Sequence, residues 1–127
     1  MKDAVGRNLV AFVPATDLDA ARAFYEGVLG LAVVEHSDFA VAFDVGGTML
    51  RVTAVERRVD APYTVLGWAV PEIAAAIDEL AARGVAFERY EDMDQDPRGV
   101  WRSPSGARIA WFRDPDGNVL SLTQHAG

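Results

Sequence analysis

One strand–helix–strand pattern occurs twice in this chain, and that repetition constrains the fold more than any other feature. The first copy opens on an apolar run from Leu9 to Val13. It passes through Thr16-Asp17-Leu18-Asp19 into a helical pattern that runs to Leu29, and it stops at Gly30. The second opens on Tyr63 to Val70, enters its helix through Pro71-Glu72-Ile73, continues to Ala82, and stops at Gly84. Superposing Asp17 on Glu72 aligns Leu18 with Ile73, Ala21 with Ala76 and Tyr25 with Leu80, an offset of 55 residues.

Local chemistry supports each helix. Thr16 and Asp19 have the spacing of a capping box. Leu18, Ala21, Phe24, Tyr25 and Val28 recur at three and four, so they share a face. In the second copy Pro71 suits a first helical position, and Ile73, Ala76, Ile77 and Leu80 form the stripe. After each helix the period falls to two. Leu31–Glu35, Phe39–Val45 and Thr48–Ala54 read as strands, with Gly46-Gly47 as the turn between the last two. Ala86–Tyr90, a piece near Gly99–Arg102, Arg108–Phe112 and Val119–Thr123 read as strands of the second copy. Ser103-Pro104-Ser105-Gly106 and Asp114-Pro115-Asp116-Gly117 form sharp turns.

The expected architecture is α+β: one domain over residues 1–127, made of two βαβββ modules at 8–55 and 63–124. One amphipathic helix covers only one face of a small sheet. Two such sheets joined as a cupped mixed sheet, helices outside, would leave a hollow for a small molecule. Composition narrows the classes further. Twelve Lys and Arg face nineteen Asp and Glu, a net charge of −7, which disfavours nucleic acid and anionic membrane as partners. No Cys is present, so disulfides and thiolate chemistry are excluded, and two histidines, His36 and His125, leave little for a multi-His metal site. No leader-like or membrane-spanning run appears, so a cytoplasmic location is expected.

Several pieces are similar to the vicinal oxygen chelate superfamily, the glyoxalase / bleomycin resistance / dioxygenase group. They are Asp17-Leu18-Asp19-Ala20-Ala21-Arg22-Ala23-Phe24-Tyr25, Val28-Leu29-Gly30-Leu31, Ala82-Arg83-Gly84-Val85 and Phe112-Arg113-Asp114-Pro115-Asp116-Gly117-Asn118. The resemblance spans about Leu9 to Gln124 and implies the paired modules, the cavity and frequent homodimers. It also implies a divalent metal, held by a His or Gln on each module's first strand and a Glu on the last. Counting from the helix caps and the Asp-Pro-Asp-Gly turn, those positions fall on Val10, Val65 and Ser121, and none is a competent ligand. The resemblance therefore supplies the fold and withdraws the commonest mechanism, so no metal and no cofactor are expected.

Strand alternation predicts the lining of the hollow. Val10 and Phe12, Met49 and Arg51, Val65 and Gly67, and Ile109, Trp111, Val119, Ser121 and Thr123 should turn inward, with Phe112 and Leu122 beneath the helices. The candidate ligand-binding residues are Phe12, Met49, Arg51, Trp101, Trp111 and Ser121. Each has a plainer reading. Trp111 can be core filler as well as a stacking platform, Trp101 a rim aromatic or a dimer contact, and Trp68, of opposite parity, belongs to the core. Arg51 in an apolar hollow needs an anion, supplied by a ligand or by Asp44 or Glu35. His36 reads as a loop histidine or a gated base, and the acidic run Glu88 to Asp96 as a solvated loop. The expected function is metal-free binding of a small aromatic or apolar molecule, by a homodimer, in sequestration or resistance. The alternative is a lyase or isomerase working without the usual ligands or with displaced ones.

Overall fold

The computed structural model describes residues 4–127 and divides into two compact units, one extending to Arg58 and one starting at Val59. Among the described residues no helix is long and apolar enough to cross a membrane.

The first unit runs β1 (Val10–Ala15), α1 (Leu18–Arg22) with a π-helical continuation (Ala23–Val28), β2 (Ala32–His36), β3 (Ala40–Val45) and β4 (Thr48–Ala54). Its sheet has the order β1-β4-β3-β2, with β1 parallel to β4 and the other pairs antiparallel. Asp17 caps α1: its Oδ1 accepts the Ala20 amide at 3.0 Å, so the cap lies one residue beyond Thr16, the residue expected from the spacing. The helix then widens, and the Leu29 amide reaches back five residues to the Phe24 carbonyl. That wider turn still brings Tyr25 fully inside, edge-on to Phe24 and tilted against Phe43 of β3. Gly30, at φ 76°, then ends the helix in the left-handed region that L side chains avoid. Val13, Ala15, Phe43, Leu50 and Val52 complete the buried layer. Val10 and Phe12 of β1 and Met49 of β4 are exposed beside them, so these two strands alternate with period two, whereas β3 is buried from Ala40 to Phe43.

The second unit runs β5 (Thr64–Ala69), α2 (Ile73–Ala82), β6 (Trp101–Arg102), β7 (Arg108–Arg113) and β8 (Val119–Gln124), in the sheet order β5-β8-β7-β6. Glu72 is the residue before the first turn of α2, which puts Pro71 outside the helix rather than at its first position. Ile73, Ile77 and Leu80 face a layer of Ala110, Phe112, Leu120 and Leu122. The strand expected over Ala86–Tyr90 is absent. The outer edge of β7 is divided: β6 pairs with Arg108 and Ile109, and a single amide, that of Glu88, reaches the Trp111 carbonyl at 2.8 Å. The side chain of Gln95 takes the place of a ladder there. It accepts from the Tyr90 amide at 2.7 Å and donates to the Glu88 and Gly99 carbonyls at 3.0 and 2.8 Å. The two sharp turns close as expected, Gly106 to Ser103 and Gly117 to Asp114, each at 2.9 Å.

One close approach fixes a residue type. Gly67 of β5 stands opposite Ser121 of β8, and a Cβ there would lie 2.5 Å from Ser121 Oγ and 3.3 Å from its carbonyl oxygen. Gly67→Ala is expected to cost about 1–2 kcal/mol in denaturant unfolding, with Ser121→Ala in the same chain recovering most of the loss. Additive losses in the double variant would contradict this.

Candidate functional site

In the first unit Phe12, Met49 and Arg51 share the sheet face opposite α1. Phe12 is level with Arg51 and Val10 with Met49 in the parallel β1–β4 register. Arg51 Nη1 lies 3.2 Å from Glu35 Oε1, so of the anions the sequence offers it, a ligand, Asp44 or Glu35, it is Glu35 that pairs with it. A register shift between Val33 and Glu35 turns Glu35 level with Ala42, which stands between it and Arg51 across the sheet. His36 is engaged elsewhere. Arg22 Nη1 donates to its Nδ1 at 2.8 Å, which ties the ring to α1 and away from the Phe12 face.

In the second unit Trp111 and Ser121 are directly opposite in the β7–β8 register, and Trp101 pairs with Ile109, so all of them occupy the face opposite α2. Trp111 is held by contacts on several sides. Its indole Nε1–H donates to Thr64 Oγ1 at 3.2 Å, Tyr90 meets it edge-on at 5.6 Å between ring centroids, and Trp101 lies tilted at 6.2 Å. Ser121 is 8% exposed and packed against Gly67, so it forms the floor and offers little hydroxyl surface. Trp68 lies on the other face with Leu122, as its parity required, but is half-buried rather than in the core expected for it.

Beside Trp111 opens a concavity of about 390 Å³, lined by Tyr63, Thr64, Tyr90, Met93 and Arg113 among others. The lining is aromatic and apolar with three hydroxyls, those of Tyr63, Thr64 and Tyr90. The one cation, Arg113, is already committed: its Nε lies 2.7 Å from Glu88 Oε1 and its Nη1 donates to the Gly117 carbonyl at 2.9 Å. The Glu88 hydrogen bond holds the Arg113 guanidinium above its ordinary pKa. Burial raises the Tyr90 phenol, and the Glu88 charge adds to that, against a smaller opposing pull from Arg113. Such a surface can stack and orient a flat molecule.

Tyr90, Met93 and Thr64 are absent from the residues foreseen in the sequence. Tyr90 ends the strand expected over Ala86–Tyr90, which does not form, and Met93 lies where no regular period marks an inward side. Thr64 is revealed only by the β5 irregularity between Thr64 and Leu66, which sets Thr64 level with Val119 and drops Val65 from the register. Val65 therefore has no partner in that register.

The residues at the positions of a family metal do not fit one. Val10 and Val65 present hydrocarbon, and Ser121 a hydroxyl pressed on Gly67. Among the described residues no three His, Asp or Glu side chains are grouped to hold an ion.

Comparison with known proteins gives a consistent outcome. The model of the Glyoxalase/Bleomycin resistance protein/Dioxygenase superfamily matches residues 8–122. A lactoylglutathione lyase from Agrobacterium tumefaciens is 25% identical, with 93% of this chain and 92% of that one covered and a TM-score of 0.69. A superfamily member from Sphaerobacter thermophilus is 23% identical over 95% and 98% of the two chains, with a TM-score of 0.74. Another from Alicyclobacillus acidocaldarius is 20% identical over 95% and 92%, with a TM-score of 0.73. No curated protein matches significantly.

The raised Tyr90 phenol sets a pH dependence. The folded state favours its neutral form, so this contribution to stability is present below the ordinary value of 10.0 and is lost as pH rises through the higher folded value. In tyrosinate absorbance titrations, Tyr90→Phe should remove a step that lies above pH 10.0; loss of a step at or below that value would contradict the assignment.

Proposed function

The chain belongs to the Glyoxalase/Bleomycin resistance protein/Dioxygenase superfamily, and we propose that it is a binding member that takes up a small, flat aromatic or apolar molecule against Trp111 without a metal ion. The observation that carries this reading is the fixed indole. Thr64 holds its N–H, Tyr90 and Trp101 flank it, and a concavity of about 390 Å³ lies in front, within the usual range for small-molecule sites. A ring already locked in place loses little side-chain freedom when a ligand stacks on it, so more of the contact energy appears as affinity. The ionic groups nearby are paired with each other, so shape and stacking supply selectivity rather than charge. Phe12 and Met49 give the first unit a second apolar face of similar chemistry, with Arg51 neutralised beside them by Glu35.

The same reading makes the protein a cytoplasmic homodimer with a sequestering role, such as resistance to a toxic compound. A lyase or isomerase reading draws on the likeness to the Agrobacterium lyase. Two side chains that could serve such a reaction, Arg51 and His36, are occupied by Glu35 and Arg22, and that favours binding over turnover.

The test is calorimetric titration with a panel of planar aromatic compounds. At least one should bind saturably, with no change after dialysis against a chelator. Trp111→Ala should weaken binding about tenfold while circular dichroism stays native, and Trp111→Phe should keep most of it. An inert panel, or binding that vanishes with the chelator and returns with Zn²⁺ or Mn²⁺, would overturn the proposal.

A further inference from the structure

A second concavity of the second unit, about 510 Å³, lies on the α2 side of the sheet, away from Trp111. Its walls include Arg102 of β6 and Arg108 of β7, which stand directly opposite in the antiparallel register. Like charges in that position repel. Neither guanidinium makes a hydrogen bond or ion pair among the described residues. This contrasts with Arg22, Arg51, Arg83, Arg98 and Arg113, each of which has a carboxylate partner. In a chain with nineteen acids and twelve bases, two facing arginines without a carboxylate are a local reversal of the overall charge.

We propose that this concavity is an oxyanion site, in which Arg102 and Arg108 together hold the carboxylate or phosphate group of a small molecule. Two guanidiniums carried on directly opposed strand positions can together offer N–H donors to the two oxygens of such a group. An anion between them removes their mutual repulsion as well as adding its own contacts. The other charges at the site leave that role to this pair. Arg98 is neutralised by a two-pronged bond to Asp78, both arms at 2.9 Å. One Asp96 oxygen is taken by the amides of Arg98 and Val100, each at 2.9 Å. Asp94 also lines the hollow, and its charge opposes an anion there, so the two arginines together must outweigh it. Ile73, Ala74 and Val100 supply apolar wall for the carbon skeleton behind that head group. Gln124 faces Arg108 across β7 and β8, and its Oε1 accepts the Ile73 amide at 2.9 Å. That bond pins the start of α2 beside the arginines.

The experiment is amide NMR of the whole chain, titrated separately with inorganic phosphate and with acetate at ionic strength held constant by sodium chloride. At least one anion should give saturating shifts at Ala74, Arg102 and Arg108, and the one that saturates at lower concentration identifies a phosphate or a carboxylate as the preferred group. R102Q/R108Q should weaken saturation about tenfold or more, and R108K by less, with the remaining resonances in place. Shifts that grow linearly without saturating in the native protein, or that are equal in the double variant, would overturn the site. The single variants R102Q and R108Q allow the same comparison if the double variant does not fold.

Discussion

A four-stranded sheet has two faces, and each unit of this protein has one helix to cover them. In the first unit Tyr25 reaches from the helix to Phe43; in the second, Ile73, Ile77 and Leu80 lie over Phe112 and Leu120. Burying that one layer is what holds the strands in register, because a slip of one residue would turn the whole apolar set to the other side. The same constraint delivers Phe12, Met49, Trp111 and Ser121 to the uncovered faces. Their placement follows from the parity of residues such as Leu50 and Phe112, which have no part in binding.

The fold was legible in the sequence because its signals are local and repeated: a stripe, a terminating glycine and alternation, twice in order. The family resemblance rested on those same pieces. Where the reading failed, a contact distant in sequence decided the outcome. Ala86–Tyr90 has the composition of a strand, yet β6 takes part of the edge it needs and Gln95 satisfies its backbone groups instead. The irregularity in β5 follows from its pairing with β8, and no pattern within Thr64–Ala69 announces it. The wide turn at Ala23–Val28 is equally silent, since the apolar spacing there suits an ordinary helix.

The site was legible in part. Parity placed Trp111, Ser121, Phe12, Met49 and Arg51 on their faces, and Glu35 supplies the anion that Arg51 needs there. What the parity argument lacked was any account of residues in irregular segments, and so it omitted Tyr90 and Met93. Charge showed a similar gap. Net acidity is a property of the whole chain, whereas Arg102 and Arg108 meet only because the turn at Ser103–Gly106 folds one strand back on the next.

The amide of Gln95 has a consequence for how such a protein can diversify. The segment carrying Tyr90 is fastened to its surroundings by the Gln95 side chain, by the main-chain link from Glu88 to Trp111 and by the side-chain contacts Glu88–Arg113 and Arg89–Asp96, rather than by a ladder. Residues between those fastenings are free of the parity that binds a strand, where every second position must serve the interior. Insertions or exchanges at Glu91 to Asp94 can therefore reshape one rim of the aromatic recess while the layers beneath stay unaltered. Lineages descending from a common scaffold could acquire new ligand preferences there at little cost to folding.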